Sequence, residues 1–262
     1  MQAIKLIDSH AHLDSPEFSN QLDELMIEAR SASVSRILTI GCVTKNAQTL
    51  LKPLEISDSY PEVLVGLGVH PHDASSYTDR LEAQLLNAMS HPKVVAWGEI
   101  GLDYHYHHSD SETQINSFRR QLELALQKSK PVIIHSREAA QNTCEILEDY
   151  KSSGLKGVMH CFTYDQKIAD RCLNLGFHLS FGGILTFSRV NEIQLIAKET
   201  PFDRYLIETD SPYLAPVPFR GKTNRPAYVV KIAEKLAELR GSDLETVARE
   251  SSANFNQLFT PD

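Results

Sequence analysis

Short apolar runs rich in β-branched residues alternate with longer segments of helical period along the whole chain. Runs of this kind are typical of strands, and apolar positions three or four residues apart are typical of amphipathic helices. The predicted strands are 5–8, 36–40, 63–69, 94–99, 131–135, 157–161, 177–181 and 205–209. The predicted helices between them are 21–32, 47–56, 79–89, 111–128, 139–150, 165–175 and 191–198, and two closing helices follow at 226–240 and 243–259.

This alternation of strand and helix is the pattern of repeated βα units around a parallel sheet. Eight such units match a (β/α)8 barrel, or TIM barrel, of the α/β class, in which active sites lie at the carboxyl ends of the strands. A doubly wound open sheet is the alternative, but no glycine fingerprint of the GxGxxG kind follows the first predicted strand. No linker or low-complexity tract divides the chain, so we expect one domain over residues 1–262.

Composition and charge argue against several classes of protein. The 262 residues, 42% of them hydrophobic, are enough for a large core. The net charge of −8 argues against a broad basic surface for nucleic acid, although bound divalent cations could supply local positive charge. Four cysteines without a CxxC pair argue against a zinc finger or a disulfide scaffold. Because no signal peptide is evident and no apolar stretch approaches the ~20 residues that span a bilayer, we expect a cytoplasmic protein.

Histidines and carboxylates recur where the predicted strands end. His10 and His12 follow the first strand two residues apart, so their side chains point the same way. An isolated His-x-His is equally compatible with polar residues in a fraying loop, but later strand ends carry more residues of the same type. These are His70, His72, Glu99, His135, His160 and Asp210. Because the strand ends of a barrel meet on one face, we expect these residues to become neighbours.

Imidazole and carboxylate are ligand types that suit zinc, manganese or iron. The predicted ligands are more numerous than one tetrahedral ion needs, so we expect a site for two divalent ions. This set consists of His10, His12, Glu99, His135, His160 and Asp210. Asp8, His70 and Glu208 are close enough in sequence to support the ligands from a second layer. The remaining histidines lie in predicted loops or inside a strand, and we leave them out of the primary site.

Four motifs together carry a resemblance to a known family. They are Asp8-Ser9-His10-Ala11-His12-Leu13, Gly98-Glu99-Ile100-Gly101-Leu102-Asp103-Tyr104, His160-Cys161-Phe162 and Glu208-Thr209-Asp210-Ser211-Pro212-Tyr213-Leu214. With these motifs the chain resembles the TatD family of metal-dependent deoxyribonucleases, from about Ile7 to Phe259. The resemblance implies a TIM barrel of the metal-dependent hydrolase superfamily with two divalent ions, for which zinc, magnesium and manganese all stay open. It also implies cleavage of DNA phosphodiesters by a 3'-5' exonuclease.

The resemblance also implies a division of the ligands between the two ions. His10, His12 and Asp210 would hold one ion, His135 and His160 would hold the other, and Glu99 would bridge both. Many amidohydrolase relatives bridge their metals with a carboxylated lysine, so Glu99 favours the TatD branch. Our mechanistic hypothesis is in-line attack by a metal-bound hydroxide, with Asp210 accepting the proton and Glu99 as the second catalytic residue.

Basic and aromatic side chains near the strand ends are candidates for substrate binding. Arg137 directly follows the fifth strand, and Arg220, Lys222 and Arg225 lie in a loop after the eighth. Arginine makes bidentate contacts to phosphate, but a solvated loop whose charges pair with nearby acids is the alternative. Four aromatic residues could stack on a base, although packing is the favoured alternative for each. They are Tyr104, Phe162, Phe187 and Tyr213.

Three classes of function stay open. The first is a nuclease that takes single-stranded DNA as its substrate, with no membrane and no obligate protein partner. The second is a hydrolase of another ester or amide, such as a D-aminoacyl-tRNA deacylase, because attack at a carbonyl needs similar activation. Fold alone does not distinguish these two classes. The third is a non-catalytic metal-binding protein, which the complete ligand set disfavours.

Overall fold

The sheet is a barrel of eight parallel strands in sequential order. The computed structural model describes residues 4–46 and 48–260. Each strand pairs with the next along the chain. The strands are β1 (Leu6–Ala11), β2 (Val34–Cys42), β3 (Val63–Gly68), β4 (Val94–Asp103), β5 (Val132–Arg137), β6 (Gly157–Met159), β7 (His178–Phe181) and β8 (Tyr205–Ile207). The ring closes where Ala11 bridges Ser211 and the His12 amide donates to the Ser211 carbonyl over 2.8 Å.

The predicted (β/α)8 barrel is confirmed, and the doubly wound alternative is wrong, because its strand order reverses at a switch point. The helices of the described residues are α1 (Leu22–Ser31), α2 (Gln48–Ser59), α3 (Asp79–Ala88), α4 (Ser111–Gln127), α5 (Ala140–Glu148), α6 (Gln166–Asn174), α7 (Asn191–Glu199), α8 (Val229–Arg240) and α9 (Leu244–Phe259). The predicted start of the second helix at Ala47 lies outside the described residues. Pro226–Tyr228 forms a separate 3₁₀ turn before α8.

Several strand ends differ from the prediction in a way that matters for the site. Strand β1 continues to Ala11 and strand β5 to Arg137, so His10 and Arg137 lie within strands and do not follow them. Strand β4 continues four residues past Glu99, because Ile100 through Asp103 keep their pairing with β5. Strand β6 ends at Met159, so His160 already lies beyond the strand. The site is therefore built partly from strand and partly from the first residues of the following loops.

The core has an inner part and an outer part. Inside the barrel, Ile7, Leu38 and Ile133 belong to one buried cluster, to which α9 contributes Phe255 and Leu258. A second, larger cluster packs the strands against the helices. Among the described residues, no helix is both long and apolar enough to cross a membrane.

Gly101 in β4 lies against the strand that carries His135. Its φ is +144°, and a Cβ at this position would lie 2.0 Å from the His135 carbonyl oxygen. We expect Gly101→Ala to lower the free energy of unfolding by about 3 kcal/mol, because β5 must move to make room. Gly154→Ala is the matched control, since Gly154 also has a positive φ, +78°, but no atom within 4 Å. Gly154→Ala should lower the free energy of unfolding by about 1 kcal/mol. Denaturant titrations measure both variants, and equal losses of unfolding free energy would contradict the steric argument.

Candidate metal centre

The six predicted ligands converge on the carboxyl face of the barrel, with Glu99 at their centre. Its side chain is 3% exposed and lies among imidazoles from β1, β5 and the segments that follow β1, β3 and β6. From Glu99 Oε1, His135 Nδ1 is 2.7 Å away, His160 Nε2 is 3.1 Å away and His70 Nε2 is 3.6 Å away. From Glu99 Oε2, His10 Nε2 is 3.4 Å away and His12 Nε2 is 4.0 Å away.

Asp210 provides the second carboxylate of the centre. Its Oδ1 lies 3.5 Å from His12 Nε2 and 3.8 Å from His10 Nε2. The residue has a φ of +56°, in the left-handed region that side chains other than glycine rarely adopt. Its amide donates to the His10 carbonyl over 2.9 Å, and its carbonyl accepts from the Tyr213 amide over 2.8 Å. These bonds fix the carboxylate against the end of β1.

Three groups of side chains in the described part of the chain bring their donor atoms close enough to share an ion. They are His10 with His12 and Glu99, His10 with His160 and Asp210, and His70 with Glu99 and His135. Two ligands about 2.0–2.1 Å from a tetrahedral ion lie about 3.4 Å apart. The separation of His10 Nε2 and His12 Nε2 is also 3.4 Å. The nitrogen and oxygen donors of the centre therefore fit divalent metal ions.

The charges of the centre support one another. Burial alone would raise the pKa of Glu99, but the charges of His160 and His70 and hydrogen bonds from His10 and His135 hold it well below its usual range. Burial opposes the charge of Asp210 in the same way, and a hydrogen bond from His12 and the charge of His160 lower its pKa. Both carboxylates are therefore ionised at neutral pH and available as ligands.

Among the three predicted supporting residues, Glu208 and Asp8 contact different parts of the centre. Glu208 Oε1 accepts from His160 Nδ1 over 3.0 Å and from the Cys161 amide over 2.6 Å, so it orients that imidazole. Asp8 instead accepts from the Thr209 amide and hydroxyl over 2.8 and 2.6 Å, which fixes the residue before Asp210. The third, His70, lies within reach of Glu99 and is itself one of the possible ligands.

Asp103 is a residue of the centre that the sequence reasoning missed. Its Oδ2 accepts from His135 Nε2 and from His72 Nε2, each over 2.9 Å. Its Oδ1 accepts from the amides of His105 and Tyr106 over 3.0 and 2.9 Å. Asp103 lies four residues after Glu99, so on an extended strand both side chains point the same way. Predicting the full length of β4 would have brought Asp103 into the site.

The four predicted phosphate-binding residues have different surroundings. The Arg137 guanidinium lies 4.7 Å from the centre of the Tyr106 ring, and that of Arg220 lies 4.1 Å from the Phe187 ring. Lys222 is an exposed residue of the loop after β8.

Arg225 pairs with acids of a neighbouring helix. Its Nη1 lies 2.8 Å from Glu28 Oε1 and 3.1 Å from Glu24 Oε1, both in α1. This contact corresponds to the alternative for the loop, in which its charges pair with nearby acids. A contact from Arg225 to substrate stays a prediction, and it would require these pairs to open.

Removal of the Asp103 charge should weaken metal binding without displacing a ligand. We expect Asp103→Asn to lower the affinity for a divalent ion about 10- to 100-fold, because an amide accepts poorly from two imidazoles and leaves His135 free to rotate. Ion content after dialysis, measured by mass spectrometry, checks this expectation. Asp58→Asn is the matched control, because Asp58 is exposed and its ion pair in the described part of the chain is with His91. A native ion content in Asp103→Asn would show that His135 needs no such support.

Comparison with known proteins agrees with this geometry. The model of the TatD related DNase family matches residues 7–260. The uncharacterized metal-dependent hydrolase YabD of Bacillus subtilis is 39% identical over 254 residues, which cover 97% of this chain and 98% of YabD. The 3'-5' ssDNA/RNA exonuclease TatD of Pectobacterium carotovorum is 33% identical over 260 residues, which cover 97% and 99% of the two chains.

A solved structure shows the same fold. The crystal structure of YJJV, a TatD homolog from Escherichia coli, matches with a TM-score of 0.91 and 30% sequence identity, and the match covers 99% of both chains. The sequential barrel, the histidine and carboxylate centre and these matches lead to one conclusion. The chain belongs to the TatD family of metal-dependent hydrolases.

Proposed function

We propose that this protein is a metal-dependent nuclease that removes nucleotides from the 3' end of single-stranded DNA. The observation that carries the proposal is the buried Glu99 carboxylate, which five imidazoles and the neighbouring Asp210 surround at the open end of the barrel. Centres that hold two ions in this way are common in enzymes that cleave phosphodiesters. The similarity to a relative named as a 3'-5' ssDNA/RNA exonuclease supports the choice of substrate.

The proposal assigns a role to each ligand. His10, His12 and Asp210 would hold one ion, His135 and His160 would hold the other, and Glu99 would serve both. When bound, the ions supply positive charge that lowers the pKa of a water molecule and neutralises the phosphate oxygens. Zinc, magnesium and manganese are all compatible with these donors. His70 is a further possible ligand on the side of His135.

The chain's own residues then move the proton and bind the substrate. Asp210 is ionised and lies beside His12 at the edge of the centre, so its carboxylate can orient the attacking water and accept its proton. In the described part of the chain, Arg137 and Arg220 contact aromatic rings and pair with no carboxylate, which leaves their guanidinium groups free to bind phosphate. The expected location in the cytoplasm and the single domain stay predictions.

The first experiment measures cleavage directly. We expect metal-stripped protein reloaded with Mg²⁺, Mn²⁺ or Zn²⁺ to shorten a 5'-labelled single strand one nucleotide at a time. Glu99→Ala should abolish release because it removes the shared ligand, whereas the exposed Glu55→Ala should behave like the native protein. If native protein shown to bind ions releases nothing with any metal, the nuclease proposal is wrong. Release of amino acid from an aminoacyl-tRNA ester by the same preparation would then favour the deacylase alternative.

Replacement of Asp210 by asparagine removes the carboxylate that could accept a proton and keeps the size of the side chain. We expect Asp210→Asn to lower kcat by about a hundredfold or more, because the amide cannot accept the proton. Single-turnover assays at saturating metal, with the bound ions counted in the same sample, make the comparison. Native turnover in a fully loaded Asn variant would rule out Asp210 as the proton acceptor.

A further inference from the structure

We propose that Tyr106 and Tyr213 stack on the two nucleobases that flank the scissile phosphate, one on each side of the metal centre. Neither tyrosine is a ligand of the centre, and the sequence pattern did not indicate Tyr106 at all. The inference rests on the proposed nuclease function and adds how that site holds its substrate.

The order of the strands places the two tyrosines on opposite sides of the centre. Tyr106 follows β4 and Tyr213 follows β8, and in a closed ring of eight sequential strands the fourth lies opposite the eighth. The ring of Tyr213 is 5.9 Å from that of His12, centre to centre. The ring of Tyr106 is 5.4 Å from that of His72, which Asp103 links to His135. A phosphate at the centre therefore lies between the two rings.

Both rings are open to solvent, which is unusual for aromatic side chains in this protein. Tyr106 is 42% exposed and Tyr213 is 54% exposed. Phe202 is the third Phe, Tyr or Trp side chain that is exposed in the described residues, and it precedes β8 at the opposite end of the barrel. The aromatic residues named in the sequence analysis other than Tyr213 are less exposed. Phe162 is buried, and Tyr104 and Phe187 are half-buried.

The backbone of each tyrosine is also fixed by a carboxylate residue of the centre. The Tyr106 amide donates to Asp103 Oδ1 over 2.9 Å. The Tyr213 amide donates to the Asp210 carbonyl over 2.8 Å, and its own carbonyl accepts from Asn224 Nδ2 over 2.6 Å. The backbone positions from which the two rings extend are thereby fixed before the substrate arrives, which lowers the entropic cost of binding.

Arg137 adds positive charge to the Tyr106 side. Its guanidinium lies over the ring at 4.7 Å, so a base that stacks on this face displaces the guanidinium toward the adjacent phosphate. Aromatic rings beside cationic groups are the usual means of binding single strands without sequence preference, because every base has a flat face. The class of ligand that fits these features is a single strand that passes over the centre with one base on each tyrosine.

The test compares substrates with and without the two bases. One 5'-labelled single strand carries natural bases throughout, and the other carries tetrahydrofuran residues on both sides of its last phosphodiester. We expect Tyr106→Ala and Tyr213→Ala each to lower kcat/KM about tenfold on the first substrate, mainly by raising KM. On the second substrate the variants and the native protein should differ by less than about twofold. Phe202→Ala, which removes an exposed ring far from the centre, is the matched control.

Each result has a defined meaning. Equal kcat/KM for native and variant proteins on the natural strand would overturn the inference and leave the nuclease proposal standing. An equal loss on both substrates would also overturn it, because the tyrosines would then act through His12 or His72 and not through the bases. Absence of cleavage by the native protein would refute the proposed function itself. Circular dichroism and ion content of each variant identify misfolding, and the phenylalanine variants, which keep the ring, should recover most of the lost kcat/KM.

Discussion

The buried charge of Glu99 is the constraint on which the rest of the site depends. Burying an ionised carboxylate costs several kcal/mol unless opposite charge and hydrogen bonds surround it. Here imidazoles arrive from β1, β5 and the segments after β3 and β6, and each reaches the same carboxylate. Only a closed barrel of parallel strands brings these segments to one point, so the fold and the charge balance require each other.

A second layer of carboxylates fixes the imidazoles and connects them to the loops. Glu208 holds His160 and the amide of Cys161. Asp103 holds His72 and His135 with one oxygen and the amides of His105 and Tyr106 with the other. The orientation of the imidazoles and the position of the loop are therefore coupled through single side chains, because Asp103 contacts both His135 and the amide of Tyr106.

The histidine and carboxylate centre fits a metal-dependent hydrolase, which is the family of this chain. The choice of substrate depends on the side chains around that centre. A protein with net charge −8 can bind a polyanion only where positive charge is concentrated. Under the proposed function, divalent ions at the centre would provide such a place together with Arg137 and Arg220, whose guanidinium groups pair with no carboxylate of the described residues. The exposed tyrosines would add a surface for bases, and the proposal of a single strand as substrate depends on these features.

The sequence by itself determined the barrel and the histidines and carboxylates that meet on its carboxyl face, because period-two and helical patterns are local and strand ends of a barrel share one face. His10, Glu99 and Asp210 could be identified in this way. The tertiary structure alone decided the extension of β4 to Asp103, the pairing of Arg225 with α1 and the opposed positions of Tyr106 and Tyr213. These features depend on contacts between residues far apart in the chain, and local hydrophobic periodicity carries no information about such contacts.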